Sequence, residues 1–351
     1  MTGTGQQRGG RATILDVARA AGVSRQTVSN TVNNPERVAP GTLERVTREI
    51  DRLGFTPNAA AQQLRRRRTQ AYGFDVDPSR IGGMGPILGE FLVSLTALAP
   101  SHGRHLVTFS GHGEGVLTAY EQLLSTGLVD GFVIGDTTTG DPRPGWLLEN
   151  QIPFVAFGRI WDQPELPHWV DIDGRTGMQL AVRHLVDQGY GSVAYLGWPS
   201  GSPVGDDRRR GWLAGLAEAG LADARVAEEV VQDVGQATAA AGRLLERLDL
   251  AEAPAVLCAS DTLALGTFRA ARARGLEPGR DLGIMGFDDS DIAVAVELTS
   301  LRQPLAEAAT HAWRLLEEGA EPDAEPVLLP PTLVPRASTT RHRAQEAVTG
   351  T

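Results

Sequence analysis

A small all-α head on a larger α/β body is the fold class that the sequence predicts, and three observations predict it. Three short helical repeats crowd into the first 54 residues, and from Ala71 onward β-rich runs alternate with helical patterns. The net charge changes sign between the two parts.

In the head, Thr13 and Asp16 stand at capping-box spacing, and Ile14, Val17, Ala18 and Ala21 repeat at i, i+3, i+4, i+7, so a helix begins after Thr13. Gly22 makes the turn. Ser24 caps a second helix in "GVSRQTVSNTVNN", where Val28 and Val32 lie four apart on one buried stripe. The other side carries Arg25, Gln26, Ser29, Asn30 and Asn33. Pro40 suits the first turn of a third helix, whose stripe is Leu43, Val46, Ile50 and Leu53 and whose end is Gly54.

So polar a second helix is either a solvated surface or a reader of DNA, and its neighbours favour the reader. In a helix-turn-helix the second helix enters the major groove, its first residues reaching base edges and its cap facing phosphate. Arginine bonds guanine twice, and glutamine or asparagine bonds adenine twice. The expected base contacts are therefore Arg25, Gln26 and Asn30, and the expected phosphate contacts are Thr13, Ser24, Thr27, Ser29, Asn33 and Asn58.

Charge supports this. Residues 1–70 hold 12 arginines against 5 carboxylates while the whole 351-residue chain stands at −10, so the remainder carries −17. A basic segment on an acidic body fits one part binding nucleic acid and the other avoiding it. All 33 basic residues are arginine, a coding bias rather than a physical signal.

Next comes "TPNAAAQQLRRRRTQ". Pro57 starts a helix that Ala59 to Ala61 favour, and Leu64 is its one large apolar residue. It falls below the roughly 12 to 15 residues that a lone helix needs, so its partner must come from outside. Arg65 to Arg68 either lie against phosphates or form a solvated linker.

In the body, "AYGFDV", "HLVTFS", "GFVIG", "FVAFG", "SVAYLG", "AVLCAS" and "GIMGFDD" alternate with helical segments such as 175–189, 208–220 and 261–274. That is too many strands for one small sheet. Two Rossmann-like subdomains flanking a cleft are expected, with ligand at the carboxyl ends of the strands.

The stretch "TILDVARAAGVSRQTVSNTVNN", followed by "GFTPNAAAQQLRRRR", resembles the head and hinge of the lactose-repressor (LacI/GalR) family of bacterial transcription regulators, almost continuously from Thr13 to Leu64. The likeness continues more loosely through the rest. It implies a periplasmic-binding-protein-like body in which the chain crosses between subdomains near residues 172, 302 and 331. The division is then a head over 1–56, a hinge over 57–70, a body over 71–340 and a tail over 341–351. Within the body the N-subdomain takes 71–172 and 303–330, and the C-subdomain 173–302 and 331–340. Leu64 matches the leucine that paired hinge helices push between base pairs of the minor groove. Arg208, Asp288 and Ser260 match effector-contact positions, and Gln303 is a candidate of the same kind. The family often has asparagine where Ser260 stands and an aromatic residue near Val234; Trp161, Trp169 or Trp198 offers a stacking face instead. A sugar, mono- or oligosaccharide, is favoured over a nucleobase or other small metabolite.

Other readings are weaker. "GGMGPILGE" lacks the third glycine of a dinucleotide fingerprint, so no nucleotide cofactor is expected. His102, His105 and His112 straddle a strand and need not converge on a metal. Cys258 sits in an apolar run, no G-x-S-x-G elbow occurs, and the adjacent pairs Asp206-Asp207 and Asp288-Asp289 cannot flank a scissile bond. No enzyme is expected. Neither an apolar run of the roughly eighteen residues that span a membrane nor a signal peptide is seen, which points to the cytoplasm. The competing function is a sugar-binding receptor or transport module with no DNA role, which shares the body but not the head. The expectation is a homodimeric, effector-controlled repressor on a pseudo-palindromic operator.

Overall fold

The computed structural model describes residues 12–55, 69–76, 86–111, 115–163, 165–221, 226–318 and 325–341, in two compact units, Met1–Thr69 and Gln70–Thr351. Asn58, Leu64, Arg65 to Arg68, Gly82 to Gly85 and His112 lie outside the described residues.

The first unit contains α1 (Ile14–Ala21), α2 (Arg25–Asn33) and α3 (Pro40–Leu53). Both halves of the capping box form: the Thr13 N–H donates to Asp16 Oδ2 at 2.9 Å and the Asp16 N–H to Thr13 Oγ1 at 3.3 Å. Gly22, at φ 62, ends α1 in the left-handed conformation that glycine adopts without strain, and Ser24 Oγ accepts the Thr27 N–H at 3.0 Å to start α2. Val17, Ala18, Ala21, Val28 and Val46 make the core, with Ile14, Val23, Ile50, Leu53 and Phe55 packed around them. One expectation fails. Ser29 is only 5 % exposed, whereas Val32 is half-buried. Two neighbouring helices cover a sector of α2 wider than a single stripe, so the residue next to Val28 turns inward with it.

The second unit opens with parallel strands β1 (Ala71–Asp75), β2 (His105–Phe109), β3 (Gly131–Gly135), β4 (Phe154–Phe157) and β5 (Trp169–Ile172), joined through α4 (Pro86–Leu98), α5 (Val116–Ser125) and α6 (Pro142–Glu149). After β5 the chain enters a second lobe: α7 (Gly174–Asp187), β6 (Ser192–Gly197), α8 (Pro203–Glu218), β7 (Ala227–Glu229), α9 (Val234–Leu245), β8 (Pro254–Cys258), α10 (Asp261–Ala273), β9 (Gly283–Met285) and α11 (Asp291–Ala295). Its four strands are parallel in the order β7-β6-β8-β9. Strand β10 (Ser300–Arg302) leads back to α12 (Leu305–Glu318) and β11 (Val327–Leu329), which pairs with β5 and completes a six-stranded sheet, β11-β5-β4-β3-β1-β2. Finally β12 (Thr332–Val334) pairs antiparallel with β10.

Both faces of the six-stranded sheet are buried, one under α4 and α12, with Phe91, Leu95 and Trp313 in contact with Tyr72 and Phe74, the other around Tyr120, Phe132 and Leu147. The second lobe has one large core around Val193, Trp212, Val256 and Leu263. Helices α7 and α8 pack so closely that a Cβ at Gly211 would sit 2.3 Å from the Arg175 carbonyl oxygen. Only glycine fits there, and the position of α8, with whatever it carries, depends on it.

Candidate DNA-recognition face and ligand cleft

On α2, Ser24, Arg25 and Gln26 are exposed and Thr27 and Asn30 half-buried, while Asn33 ends the helix. Gln26 Nε2 donates to Asn30 Oδ1 at 3.1 Å, so these two amides one turn apart form a unit. Gln26 keeps its oxygen and a second N–H for an adenine edge, and Asn30 keeps its donors. Ser24 Oγ and Thr27 Oγ1 lie 2.9 Å apart at the cap. Two expected phosphate contacts are otherwise engaged. Thr13 donates both its hydroxyl, at 2.6 Å, and its amide to Asp16 Oδ2, and this holds the Asp16 carboxyl below the usual range. Ser29 is buried and has no surface to offer a phosphate.

In the body, the carboxyl ends of the second lobe's strands bring the remaining candidates together. Helix α8 starts five residues earlier than expected, because Ser202 caps it and Pro203 fits its first position, so Arg208 lies in its second turn rather than opening it. The alkyl stem of Arg208 passes Gly174, where a Cβ would stand 3.1 Å from Arg208 Cγ. Its guanidinium lies 3.7 Å from the Phe287 ring centroid and 5.2 Å from that of Trp198, and Nη1 donates to the Ala259 carbonyl. Nη1 stands 3.8 Å from Asp288 Oδ1, which accepts from Gln303 Nε2 at 2.7 Å.

That ion pair is poorly repaid. Burial pushes the Asp288 carboxyl up to about 7, Arg208 opposes the shift, and nearby Asp261 adds to it. Burial likewise lowers the Arg208 guanidinium, against the pull of Asp288. Both partners move toward neutrality, so at 3.8 Å attraction does not cover desolvation. Arg208 Nε is buried with no hydrogen-bond partner among the described residues. Asp288 is also held at φ 126, outside the range that residues with a Cβ prefer, by its N–H donating to the Leu301 carbonyl at 2.8 Å. Strain and an unsatisfied guanidinium at strand ends are what a polar ligand can relieve.

Ser260 caps α10, its Oγ accepting the Leu263 N–H at 3.3 Å and donating to Gln232 Oε1 at 2.8 Å. The same oxygen accepts Trp198 Nε1 at 2.7 Å. Gln232 was invisible as a candidate, lying 28 residues from Ser260 and 34 from Trp198. It fixes the edge of the half-buried Trp198 indole beside Arg208. Trp169 is core at 6 % exposure, and Trp161 lies under Arg159, 5.1 Å from its guanidinium. From the first lobe, Arg159 donates to Asp171 Oδ2 at 3.0 Å and to Asp207 Oδ2 at 3.2 Å. Asp75, at the end of β1, accepts from Gly111 N–H and Tyr120 Oη, both at 3.1 Å, and faces Arg143 at 3.4 Å. A separate hollow of about 230 Å³ near Leu147, Phe154 and Leu316 has only Gln151 and His168 as polar lining and lacks convergent polar groups.

A helix-turn-helix followed in sequence by a two-lobed α/β body with a buried cluster of polar side chains at its strand ends fits a DNA-binding transcription regulator, and the comparisons give its family. Residues 13–58 match the bacterial regulatory proteins of the lacI family, and residues 182–339 match the periplasmic binding protein-like domain. The regulator CelR of Thermobifida fusca is 32% identical over 88% of this chain and 92% of its own. The Lac repressor dimer bound to operator and an anti-inducer overlays at a TM-score of 0.79, with 27% identity over 94% of this chain and 99% of that one. A CelR–cellobiose complex overlays at 0.66, with 29% identity over 93% and 100%. This chain belongs to the LacI family of bacterial regulatory proteins. No helix among the described residues is long and apolar enough to cross a membrane.

Proposed function

We propose that this protein is a cytoplasmic repressor that binds a pseudo-palindromic operator as a homodimer and leaves it when a neutral sugar occupies the body cleft. Arg25 and the Gln26–Asn30 pair read bases, while Ser24, Thr27, Asn33 and Asn58 hold phosphates and Leu64 wedges the minor groove. In the cleft, Arg208, Asp288, Ser260 and Gln303 bond sugar hydroxyls, with Trp198 as the stacking face. A dimer on an operator is what the Lac repressor structure contains, and cellobiose is what the CelR complex contains.

The observation that carries the effector reading is the buried Arg208–Asp288 pair at 3.8 Å, with Arg208 Nε unsatisfied. Hydroxyls donate to the carboxylate and accept from the guanidinium, repaying both. Charge selects against anions. Arg208 faces Asp288, Arg159 faces Asp171 and Asp207, and Arg210 faces Asp207, so each of these guanidiniums already has a carboxylate. A sugar phosphate or nucleotide has no spare cation to meet there.

The test is fluorescence anisotropy of the protein on its own upstream DNA, titrated with neutral di- and monosaccharides, cellobiose first, and with sugar phosphates. Release by a neutral sugar, lost in Arg208→Ala and Asp288→Ala with operator binding kept, is the expected result. Release by phosphorylated sugars alone, or retention of the response in both variants, overturns the effector assignment.

A further inference from the structure

We propose that Arg159 is the latch between the two lobes of the body, a positioning residue that ties the first lobe to the helix bearing Arg208 by way of Asp207. Its regulatory meaning rests on the effector reading above. Its geometry does not.

Arg159 follows β4 and is pinned to the first lobe, because its carbonyl accepts from Thr137 Oγ1 at 2.6 Å. Its guanidinium forks. Nε meets Asp171 on β5, and Nη2 reaches Asp207 on α8, 48 residues away and in the other lobe. The three side chains are 20%, 14% and 7% exposed, so the triad is largely removed from water and its attraction is little screened. Asp207 Oδ2 also accepts the Arg175 N–H at 3.2 Å, at the start of α7, and its Oδ1 faces Arg210 at 3.5 Å.

Asp207 immediately precedes Arg208 on one helical turn, and a Cβ at Gly174 would touch both, at 3.6 Å from Asp207 Oδ2 and 3.1 Å from Arg208 Cγ. Asp207, Arg208 and the start of α7 therefore form one packed group that cannot shift piecemeal. The Arg159 guanidinium joins the first lobe to the Asp207 end of this group, while at its α7 end the Asp173 N–H donates to the Leu329 carbonyl of β11 at 2.8 Å. Burial raises the Asp171 carboxyl, Arg159 opposes that rise, and Asp207 adds to it. With Arg159 removed, Asp171 loses the cation it pairs with and faces Asp207 across the lobe boundary, while Asp207 keeps Arg210 and the Arg175 N–H, so the attraction between the lobes beside Arg208 turns to repulsion. Lysine keeps the charge but cannot serve both acids through separate nitrogens.

Hydrogen exchange on the full-length protein tests the latch without any effector. Arg159→Ala should speed exchange both in residues 158–162 and, across the lobe boundary, in residues 173–176. Asp207→Asn should reproduce the pattern, and the double variant should exceed neither single by much, since both remove one interaction. Faster exchange confined to 158–162, or single effects that simply add, overturns the proposal. Should Arg159→Ala not fold, Arg159→Lys is judged by the same pattern at smaller amplitude. With cellobiose as probe in operator release, Arg159→Ala should shift the half-effective concentration about tenfold or more, whereas Arg209→Ala, on the same helix with its charge paired to Glu229, should not. A wild-type protein indifferent to cellobiose rejects that effector and leaves the exchange result to decide the latch.

Discussion

Asp288 titrates near 3.8 in an unfolded chain and near 7 in the fold. The folded protein thus holds this proton more tightly, so the stability Asp288 lends is full below 3.8 and is lost as pH rises through about 7. Arg208, Gln303 and Asp261 face it, and the neighbouring Asp289 is paired to Arg302 and Arg336. Thermal melts of the effector-free protein from about pH 5 to 8 should show a decline of a few kcal/mol at most that Asp288→Asn lacks. Parallel profiles for the two proteins would remove this assignment. Sugar hydroxyls donate best to the charged form, so effector affinity should rise across the same range, read by calorimetry. At the other site, Arg25→Ala should cost about 1–3 kcal/mol and relax preference at one base pair per half-site. Gln26→Ala and Asn30→Ala should relax one and the same pair, because the amides are bonded to each other. Binding-site selection that finds two independent positions would show that they read separately. At this scale residue type and local spacing suffice to put Arg25 on the exposed side of its helix and to single out Arg208 and Asp288, which stand 3.8 Å apart. Arg159, Asp207 and Gln232 were not legible, because a charge or amide whose partner is 28 or 48 residues distant reads as ordinary surface.

Among the elements, the head was readable almost entirely, since the Thr13 capping box and the Gly22 turn are local chemistry. Helix α8 starts at Ser202-Pro203, five residues before the arginine run that looks like its opening, because a capping serine and a proline at the first position outweigh the run of charge. What no spacing shows is the approach of α7 to α8 at Gly211. Gly211→Ala would place a Cβ 2.3 Å from the Arg175 carbonyl oxygen, and α8 must move. The expected cost is about 1–3 kcal/mol in stability, with effector affinity lost before the fold is. A variant that melts lower yet binds effector normally would separate α8 placement from the cleft. For the hinge the prediction comes from sequence alone: Ala60→Gly should disfavour helix over 57–64 by about 1 kcal/mol per subunit, weakening operator binding and sparing sugar affinity in the DNA-free dimer. Equal operator affinity for the two proteins would argue that no helix forms there on DNA.

Across the whole molecule, the basic first 70 residues and the −17 of the rest make two polyelectrolytes of opposite sign on one chain. Operator affinity should fall steeply with salt, with a log–log slope proportional to the phosphates neutralised, while affinity for a neutral sugar stays nearly flat. A shallow operator slope would mean that the arginines of the head and hinge do not meet phosphate. The two-lobed body was foreseeable from the alternation of strands and helices. The ion pairing of Arg159 with Asp171 and Asp207 across its lobes was not, since it depends on side chains from distant segments meeting.

The return of α12 and β11 to the first sheet also sets an order of events during synthesis. Trp313, Leu305, Ala308, Ala309 and Ala312 cover Tyr72 and Phe74, and β11 supplies the edge beside β5. Until residue 329 has left the ribosome, β5 lacks its neighbour and the apolar face that α4 and α12 share is only partly covered, and a chain cut off before residue 305 keeps both defects for good. The head, by contrast, has all its core residues by Phe55. Touching DNA is therefore the first competence a nascent chain can acquire and obeying a signal the last, so premature termination or proteolytic loss of the distal segment yields unregulated heads on an aggregation-prone remnant rather than a half-working switch.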